Sequence, residues 1–171
     1  MLSKISPRQL SSGTEAVVVA LSDTEAGKMY QQAADAAAEA ARLEFANGVN
    51  GLMVRLIRQD QFESHAVLVL ERLYPMDFRS IEVDKRKALL EVLSDELREL
   101  HEAGFVHNHL QREAGFTSGK WDNILLTDNS LRLIDAGRSL LRSETDEETF
   151  DAAVAAELQA LDVFGEMFLT R

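Results

Sequence analysis

The sequence contains no cysteine and only 2 prolines among its 171 residues. The absence of cysteine excludes disulfide bonds, thiolate catalysis and cysteine-ligated zinc, and it is typical of a reducing compartment. No apolar run approaches the ~20 residues that a membrane-spanning helix needs. No succession of charged, apolar and small residues opens the chain in the manner of a Sec-type signal peptide. We therefore expect no membrane span and no Sec-dependent export.

Positive charge is also scarce, with 18 Lys and Arg against 29 Asp and Glu and a formal net charge of -11. Such a surface repels polyanions, so we expect no nucleic-acid partner, although a small basic site for nucleotide phosphates stays compatible with it. The composition, 46% hydrophobic and 27% charged, is ordinary for a globular protein. The length suits a single domain over residues 1–171.

The segment from Asn123 to Gly137 predicts both a structure and a chemistry. Apolar runs rich in leucine and isoleucine flank Asp128–Ser130, a pattern that predicts a strand, a turn and a second strand. A hairpin returns its chain, so Asn123 and Asp135 would lie side by side at its open end. Magnesium prefers such hard oxygen ligands and keeps part of its water shell. The hairpin therefore predicts a magnesium site facing the phosphates of a nucleotide.

Three segments resemble those of a known family in type and order. They are His107–Leu110, Asn123–Leu126 and Leu133–Gly137, which resemble the catalytic loop and the metal-binding Asp-Phe-Gly segment of the protein-kinase-like superfamily. The resemblance implies a minimal, two-lobed α+β kinase-like fold that uses ATP and Mg²⁺. The N-lobe, about residues 13–72, would hold an antiparallel sheet plus one helix. The C-lobe, about residues 73–171, would be helical and reduced.

The resemblance also implies how the N-lobe would hold ATP. Lys28, on the strand after the glycine loop, would hold the α- and β-phosphates and would itself be held by a helix glutamate. Glu39 is the first choice for that glutamate and Glu44 the second, the alternative being that both are solvated helix acids. Gly13 stands alone in place of a full glycine-rich loop, so an ordinary turn is the alternative there.

Four further positions take their roles from the same resemblance. Glu71 and Leu73 fall at the hinge between the lobes, whose backbone groups would read the adenine base. Asn123 and Asp135 would bind the magnesium ion, and Asp135 is thereby counted among the catalytic residues.

The sequence departs from the family at the catalytic base. His109 stands where the family has its catalytic aspartate, and extra residues, roughly Gln111 to Lys120, separate it from the hairpin. A neutral imidazole can accept the hydrogen bond of a substrate hydroxyl, so His109 is one candidate base. Asp122 is an equal candidate, and Glu113 in the insert is another. The remaining alternative is a site that binds nucleotide poorly or without turnover.

His107 precedes this position and has two interpretations. The resemblance makes it a scaffold residue that braces the catalytic loop and the metal-binding segment. Alternatively, His107 and His109 could be two metal ligands, but no third strong ligand with zinc spacing accompanies them. The scaffold interpretation is therefore preferred.

Apolar periodicity and turn residues predict the remaining elements. The first elements are a strand within Gly13–Leu21, a turn at Ser22-Asp23, a strand at Gly27–Tyr30 and a helix over about Gln31–Asn47 stopped by Gly48. Two strands follow, at Gly51–Ile57 and Ala66–Leu70, joined by a turn at Gln59–Ser64. The last two elements are a helix over Asp84–Ala103 ended by Gly104 and a helix from Asp146, whose apolar stripe is Phe150, Val154, Leu158, Leu161, Phe164 and Phe168.

The two ends of the chain bear on where the protein acts. Residues Met1 to Ser12 contain no acid, which predicts a mobile leader, and they resemble the serine-rich secretion addresses of bacterial type III effectors. Only Arg138 to Arg171 follow the hairpin, which leaves no room for a peptide-docking platform. The chain is thus similar to minimal kinase effectors that bacteria secrete into the host cytoplasm, including those that act on the chaperone Hsp90 or on ubiquitin conjugation.

These observations favour ATP-dependent phosphoryl transfer to Ser or Thr of a host protein. Two other classes stay open. A pseudokinase would act by binding a partner, and an AMP transferase on the same fold would move AMP instead of phosphate.

Overall fold

The computed structural model describes residues 8–12, 16–111 and 121–170 of the chain. Its N-lobe is an antiparallel five-stranded sheet with the strand order β1-β2-β3-β5-β4, together with one helix. The elements are β1 (Arg8–Ser12), β2 (Ala16–Ala20), β3 (Glu25–Tyr30), α1 (Ala33–Val49), β4 (Leu56–Phe62) and β5 (His65–Glu71). The predicted antiparallel sheet with one helix is therefore confirmed.

The C-lobe consists of two long helices and two small two-stranded sheets, β6–β9 and β7–β8. Its elements are α2 (Val83–Ala103), β6 (Phe105–Val106), β7 (Ile124–Leu126), β8 (Leu131–Leu133), β9 (Leu140–Leu141) and α3 (Glu147–Thr170), with 3₁₀ turns at Phe78–Ser80 and Arg142–Glu144. The reduced helical lobe and the β7–β8 hairpin are as predicted. None of the described helices is long and apolar enough to cross a bilayer.

The sheet and α1 together position the N-lobe side of the site. Ser22 Oγ accepts hydrogen bonds from the Thr24 and Glu25 amides, which closes the β2–β3 turn. α1 lies on the sheet through small or apolar side chains, namely Ala36, Ala40, Leu43 and Ala46, all of them buried. Alanines allow the helix to approach closely, so Glu39 on the same face reaches the sheet surface.

The predicted mobile leader is wrong over its last five residues. Arg8–Ser12 form β1, which pairs with β2 in the register Arg8 to Ala20. The β-branched run of β2 would otherwise leave an unpaired strand edge, and β1 covers it. Residues 1–7 and Gly13, the predicted glycine-loop position, lie outside the described residues.

Two predicted boundaries in the N-lobe are also wrong. α1 does not stop at Gly48 but continues to Val49, so this glycine lies within the last turn of the helix, where it only lowers helix propensity. Residues 51–55 are not a strand of the main sheet. They lie against β8, where Val54 donates its N–H to Leu133 O at 2.7 Å. β4 therefore begins later than predicted and runs through most of the predicted turn.

The C-lobe core is built from α2, α3 and aromatic rings. Gly104 ends α2 with a φ of 105°, the left-handed conformation that favours glycine. Phe78, Trp121, Phe164 and Phe168 form one ring cluster. The predicted apolar stripe of α3 needs one correction, since Glu157 is buried where Leu158 was expected and Leu158 is only half-buried.

Candidate active site

Lys28 and Glu39 meet between β3 and α1. Lys28 Nζ lies 2.9 Å from both carboxylate oxygens of Glu39, whose side chain is 2% exposed. Tyr30 donates its hydroxyl to the same carboxylate, and the Ala136 amide donates to it at 3.2 Å. Glu44, the second choice from sequence, is exposed. The pair expected from sequence therefore forms, while its role in nucleotide binding stays a prediction.

Asp135 completes an ionic triad with Lys28 and Glu39. It follows β8 with a φ of 66°, and its Oδ1 lies 3.0 Å from Lys28 Nζ. The Gly137 amide donates to the same oxygen at 3.3 Å. A Cβ at Gly137 would lie 3.2 Å from that oxygen, so the absence of a side chain allows this close approach. The triad joins the N-lobe to the end of the C-lobe hairpin.

The charges of the triad reinforce one another. Burial alone lowers the pKa of Lys28, but the carboxylates of Glu39 and Asp135 outweigh it, so the pKa of Lys28 is raised above its ordinary value. Burial alone raises the pKa of Asp135, but the Lys28 ammonium and the Gly137 amide outweigh it, so the pKa of Asp135 is lowered. Lys28 and Asp135 therefore remain an ion pair around neutral pH.

Asn123 immediately precedes β7 and is 4% exposed. Its Nδ2 donates to His109 O at 2.9 Å. A carbonyl oxygen only accepts, so this contact identifies the amide nitrogen and turns Oδ1 the other way. The Ile134 amide donates to Asn123 O at 3.1 Å, which ties the two ends of the hairpin together. Asn123 and Asp135 therefore occupy the same end of the hairpin, as the sequence predicted.

These residues fit magnesium better than zinc. Asn123 Oδ1 and the Asp135 carboxylate are hard oxygen donors, and magnesium commonly takes one or two such ligands plus phosphates and water. Within the described ranges, no three His, Cys, Asp or Glu side chains cluster as a zinc site would require. The His107–His109 alternative fits poorly, because His107 Nε2 is already 2.9 Å from Ile134 O. That contact is the brace that the scaffold interpretation expected of His107.

A buried carboxylate of α3 holds the predicted catalytic loop, which begins at His107. Glu157 Oε1 accepts from the His107 amide at 3.2 Å, and Oε2 accepts from the Asn108 amide at 2.5 Å. His101 Nε2 on α2 lies 2.9 Å from Glu157 Oε1. Asn108 has a φ of 61°, an uncommon conformation for a non-glycine residue that these bonds hold in place. Glu157 thereby fixes the backbone that carries His109.

Sequence reasoning missed Glu157, although a signal was present. The residue lies in phase with the apolar stripe of α3, three residues after Val154 and four before Leu161. A carboxylate at a core position must find partners, which marks it as structural or functional.

Tyr30 and Arg42 were missed too. Arg42 donates to Gly137 O at 2.6 Å, and neither contact has a local sequence signal because each spans separate elements.

The candidate bases lie beside the hairpin. His109 Nδ1 is 3.4 Å from Asn123 Nδ2, so the imidazole borders the predicted metal ligand. Asp122 is exposed and directly precedes Asn123. Glu113 lies outside the described residues, as does most of the predicted insert. The structure thus places His109 and Asp122 near Asn123 and leaves the choice between them to experiment.

The hinge residues have unequal roles. Glu71 Oε1 accepts from the Arg55 amide at 2.8 Å and from Arg132, and the Glu71 amide donates to Arg55 O. Its side chain therefore ties the hinge to β8. The Leu73 backbone makes no hydrogen bond to another described residue. The contact of Leu73 with an adenine base stays a prediction.

No family model matches this sequence, and no curated protein does. Solved structures do match the fold. One of them is the kinase PK-1 of the Cydia pomonella granulovirus, with a TM-score of 0.65 and 14% sequence identity, over 95% of this chain and 67% of that one. A likeness at this identity concerns the fold. The chain therefore has a small kinase-like fold, as the resemblance implied.

Proposed function

We propose that this protein is an ATP-dependent kinase that phosphorylates Ser or Thr of another protein. The observation that carries the proposal is the position of Lys28 Nζ, 2.9 Å from Glu39 and 3.0 Å from Asp135 at the end of a hairpin that also presents Asn123. A buried lysine held by a helix carboxylate suits the α- and β-phosphates of a nucleotide, and the oxygen ligands that it faces suit a cation bound to those phosphates. The kinase-like fold supports the same assignment.

Each residue would act through a contact that its neighbours prepare. Glu39 would hold the Lys28 ammonium, and the donor that Lys28 directs at Asp135 would bind a phosphate oxygen instead. The backbone of Leu73 would bind adenine. Asn123 Oδ1 and Asp135 would hold magnesium, which would neutralise phosphate charge. The chain itself would thus position the nucleotide from both lobes.

The transfer needs a group that takes the hydroxyl proton. The substrate oxygen would form a bond to the γ-phosphorus while the bond from that phosphorus to the β,γ-bridging oxygen breaks. The proton would pass to His109 or Asp122. Because most of the catalysis in such transfers comes from positioning and charge stabilisation, a histidine in place of an aspartate does not by itself abolish the reaction.

The proposal is tested by mass spectrometry of candidate proteins incubated with ATP and magnesium. Wild type should add a phosphate mass to Ser or Thr, and Asp135→Ala should not. Asp128→Ala is the matched control, because Asp128 is exposed in the turn at the other end of the same hairpin. Equal labelling by wild type and Asp135→Ala would refute the proposal.

A pseudokinase is the second candidate, and His109 at the base position favours it. In that case nucleotide would bind without transfer, and Asp135→Ala would spare the protein's effect on its partner. Labelling separates the third class, since an AMP transferase would label its target from α-labelled ATP and a kinase from γ-labelled ATP.

We further propose that the substrate is a host protein and that the chain is a secreted bacterial effector, as the sequence resemblance suggests. Hsp90 and ubiquitin-conjugation proteins are the first substrates to assay. A translocation-reporter fusion to the full chain tests secretion. Signal in the host cytoplasm should depend on the type III apparatus, and equal signal from a secretion-defective strain would refute it.

A further inference from the structure

A groove of about 550 Å³ lies next to the candidate active site. We call it the Trp121 groove. Its lining residues are Pro75, Met76, Phe78, Trp121, Asp122, Ile124, Leu125, Leu126, Val163 and Met167. Trp121 and Asp122 directly precede Asn123, and three lining residues form β7. The groove therefore shares an element with the candidate magnesium ligands.

Most of the groove is apolar, and part of this surface is exposed. Met76 is 36% exposed and Val163 is 43% exposed, although both are large apolar residues. The Trp121 ring packs edge-on against Phe164 with centroids 5.4 Å apart, so the core holds it in place. Rigid aromatic side chains set in an apolar pocket are typical centres of protein-binding surfaces.

Acidic side chains lie beside this apolar surface. Asp122 is the charged residue of the lining. On α3, Val163 and Met167 face the groove at a spacing of one helical turn, and the exposed acids Asp162 and Glu166 precede each of them. A row of carboxylates thus runs beside a row of apolar side chains. This pairing suits a ligand that is apolar in one part and basic in another.

We propose that the Trp121 groove binds a segment of the protein substrate in which a large apolar residue is flanked by Lys or Arg. This inference rests on the proposed kinase function, because it identifies the substrate class of that site. The apolar side chain would pack on Trp121 and Val163, and the basic residues would face Asp162 and Glu166. A second copy of this chain is disfavoured, because its net charge of -11 would meet the same acids.

Because Asp122 of the groove lining directly precedes Asn123, a segment bound in the groove would extend toward the candidate active site with its hydroxyl-bearing residue. Because the groove would hold the segment before and during transfer alike, damage to it should raise KM for the substrate and leave kcat unchanged. ATP affinity should also stay unchanged, since none of the triad residues lines the groove.

Trp121 is the only tryptophan of the chain, so its fluorescence reports on the groove. The probes are two synthetic ten-residue peptides with the same central Leu-Phe pair, one flanked by arginines and the other by glutamates. No nucleotide is added. The arginine peptide should change the emission of wild type with a saturable curve that weakens as salt rises. The glutamate peptide should leave the emission unchanged.

Two matched variants locate the binding. Val163→Asn should weaken binding of the arginine peptide about tenfold, which corresponds to a loss of about 1.4 kcal/mol of binding free energy. Val92→Asn alters another exposed valine, on α2 and outside the groove lining, and should bind as wild type does. Thermal unfolding of both variants confirms that they fold. Replacing Asp162 by asparagine and Glu166 by glutamine together should remove most of the salt dependence, because the carboxylates that attract the arginines are neutralised.

The outcomes separate this inference from the proposed function. Equal binding of both peptides, or equal affinity of Val163→Asn and wild type, would overturn the groove assignment. An emission change that follows protein concentration without peptide would assign the groove to a second copy and also overturn it. Peptide binding by a protein that never transfers phosphate would keep the groove and refute the kinase.

Discussion

At the residue scale, the candidate site depends on how one buried carboxylate is satisfied. Glu39 is 2% exposed and receives hydrogen bonds from Lys28, Tyr30 and the Ala136 amide. A buried carboxylate needs such partners, because burial of an unpaired charge costs several kcal/mol. Lys28, the residue that would bind phosphate, is therefore also one of the groups that solvate Glu39.

Lys28→Met should remove nucleotide binding and also destabilise the protein. The change leaves the Glu39 carboxylate buried without its cation, for which we expect a loss of about 3–5 kcal/mol in the free energy of unfolding. Urea unfolding measures this loss. The double variant Lys28→Met with Glu39→Gln should recover part of it, because the uncompensated charge is removed too. Additive effects of the two changes would contradict the direct pairing.

Glu157→Gln should weaken the catalytic loop. A glutamine offers one acceptor oxygen, whereas the carboxylate accepts from the amides of His107 and Asn108 and contacts His101. Leaving one buried amide unsatisfied should cost about 1–3 kcal/mol of stability. Under conditions in which the variant is fully folded, kcat for phosphoryl transfer should still be lower than that of wild type. KM for ATP should be unchanged.

Asp151→Asn is the matched control for this prediction. Asp151 lies on the same helix but is exposed, so the stability of the variant should stay within about 0.5 kcal/mol of wild type. If the two amide variants behaved alike in unfolding and in kcat, Glu157 would have no positioning role.

At the scale of single elements, two glycines show that the effect of a glycine on a helix depends on its place in that helix. Gly104 ends α2 at a φ of 105°, and a Cβ there would lie 3.3 Å from Arg142 Cβ. Gly48 lies within α1, where a Cβ would meet no atom within 4 Å. The first glycine provides a conformation that other residues adopt at a cost, and the second only lowers helix propensity.

Gly104→Ala should therefore destabilise the protein by about 1–2 kcal/mol, the cost of the left-handed conformation for an L-residue. Gly48→Ala should have the opposite sign and stabilise by up to about 1 kcal/mol. Thermal or urea unfolding of the two variants measures both signs. A loss of stability of similar size in both variants would show that α1 does not continue through Gly48.

At the scale of the whole molecule, the two lobes are joined by polar contacts as well as by the core. The Lys28–Asp135 ion pair links β3 to the end of the hairpin. Arg132 on β8 donates to Met53 O at 3.1 Å and to Glu71 at the hinge. The relative position of the lobes should therefore depend on the charge of Asp135.

The pH dependence of stability follows from the direction of the pKa shifts. The pKa of Asp135 is lowered by Lys28, so its contribution is present above the unfolded value of about 3.9 and is lost as pH falls through the lowered folded pKa. The pKa of Lys28 is raised, so its contribution is present below about 10.4 and is lost as pH rises through the raised folded pKa.

Wild type should accordingly exceed Asp135→Asn in stability by a constant amount around neutral pH. The difference should shrink in acid as Asp135 takes up its proton. Urea unfolding of both proteins measures this difference in the free energy of unfolding. The range from about pH 3 to about pH 8 extends from below the unfolded pKa of Asp135 to above neutral pH. A difference that grew in acid would contradict the lowered pKa.

The amino-acid sequence by itself determined those elements of this protein that depend on near neighbours along the chain. The hairpin from Asn123 to Asp135 follows from local apolar runs and turn residues, which act within a few positions. Helix α2 and its end at Gly104 follow from apolar period and glycine for the same reason. The pairing of Lys28 with Glu39 was expected through the kinase-like resemblance, and the structure places the two in contact.

Tertiary structure decided what depends on distant partners. The strand at Arg8–Ser12 exists because β2 offers it an edge, and residues 51–55 leave the main sheet because β8 binds them. Glu157 holds the amides of a loop 49 and 50 residues away, and Trp121 meets α3 only after folding. Periodicity and turn chemistry act over a few residues, whereas buried polar groups and grooves find their partners only when separate elements pack together.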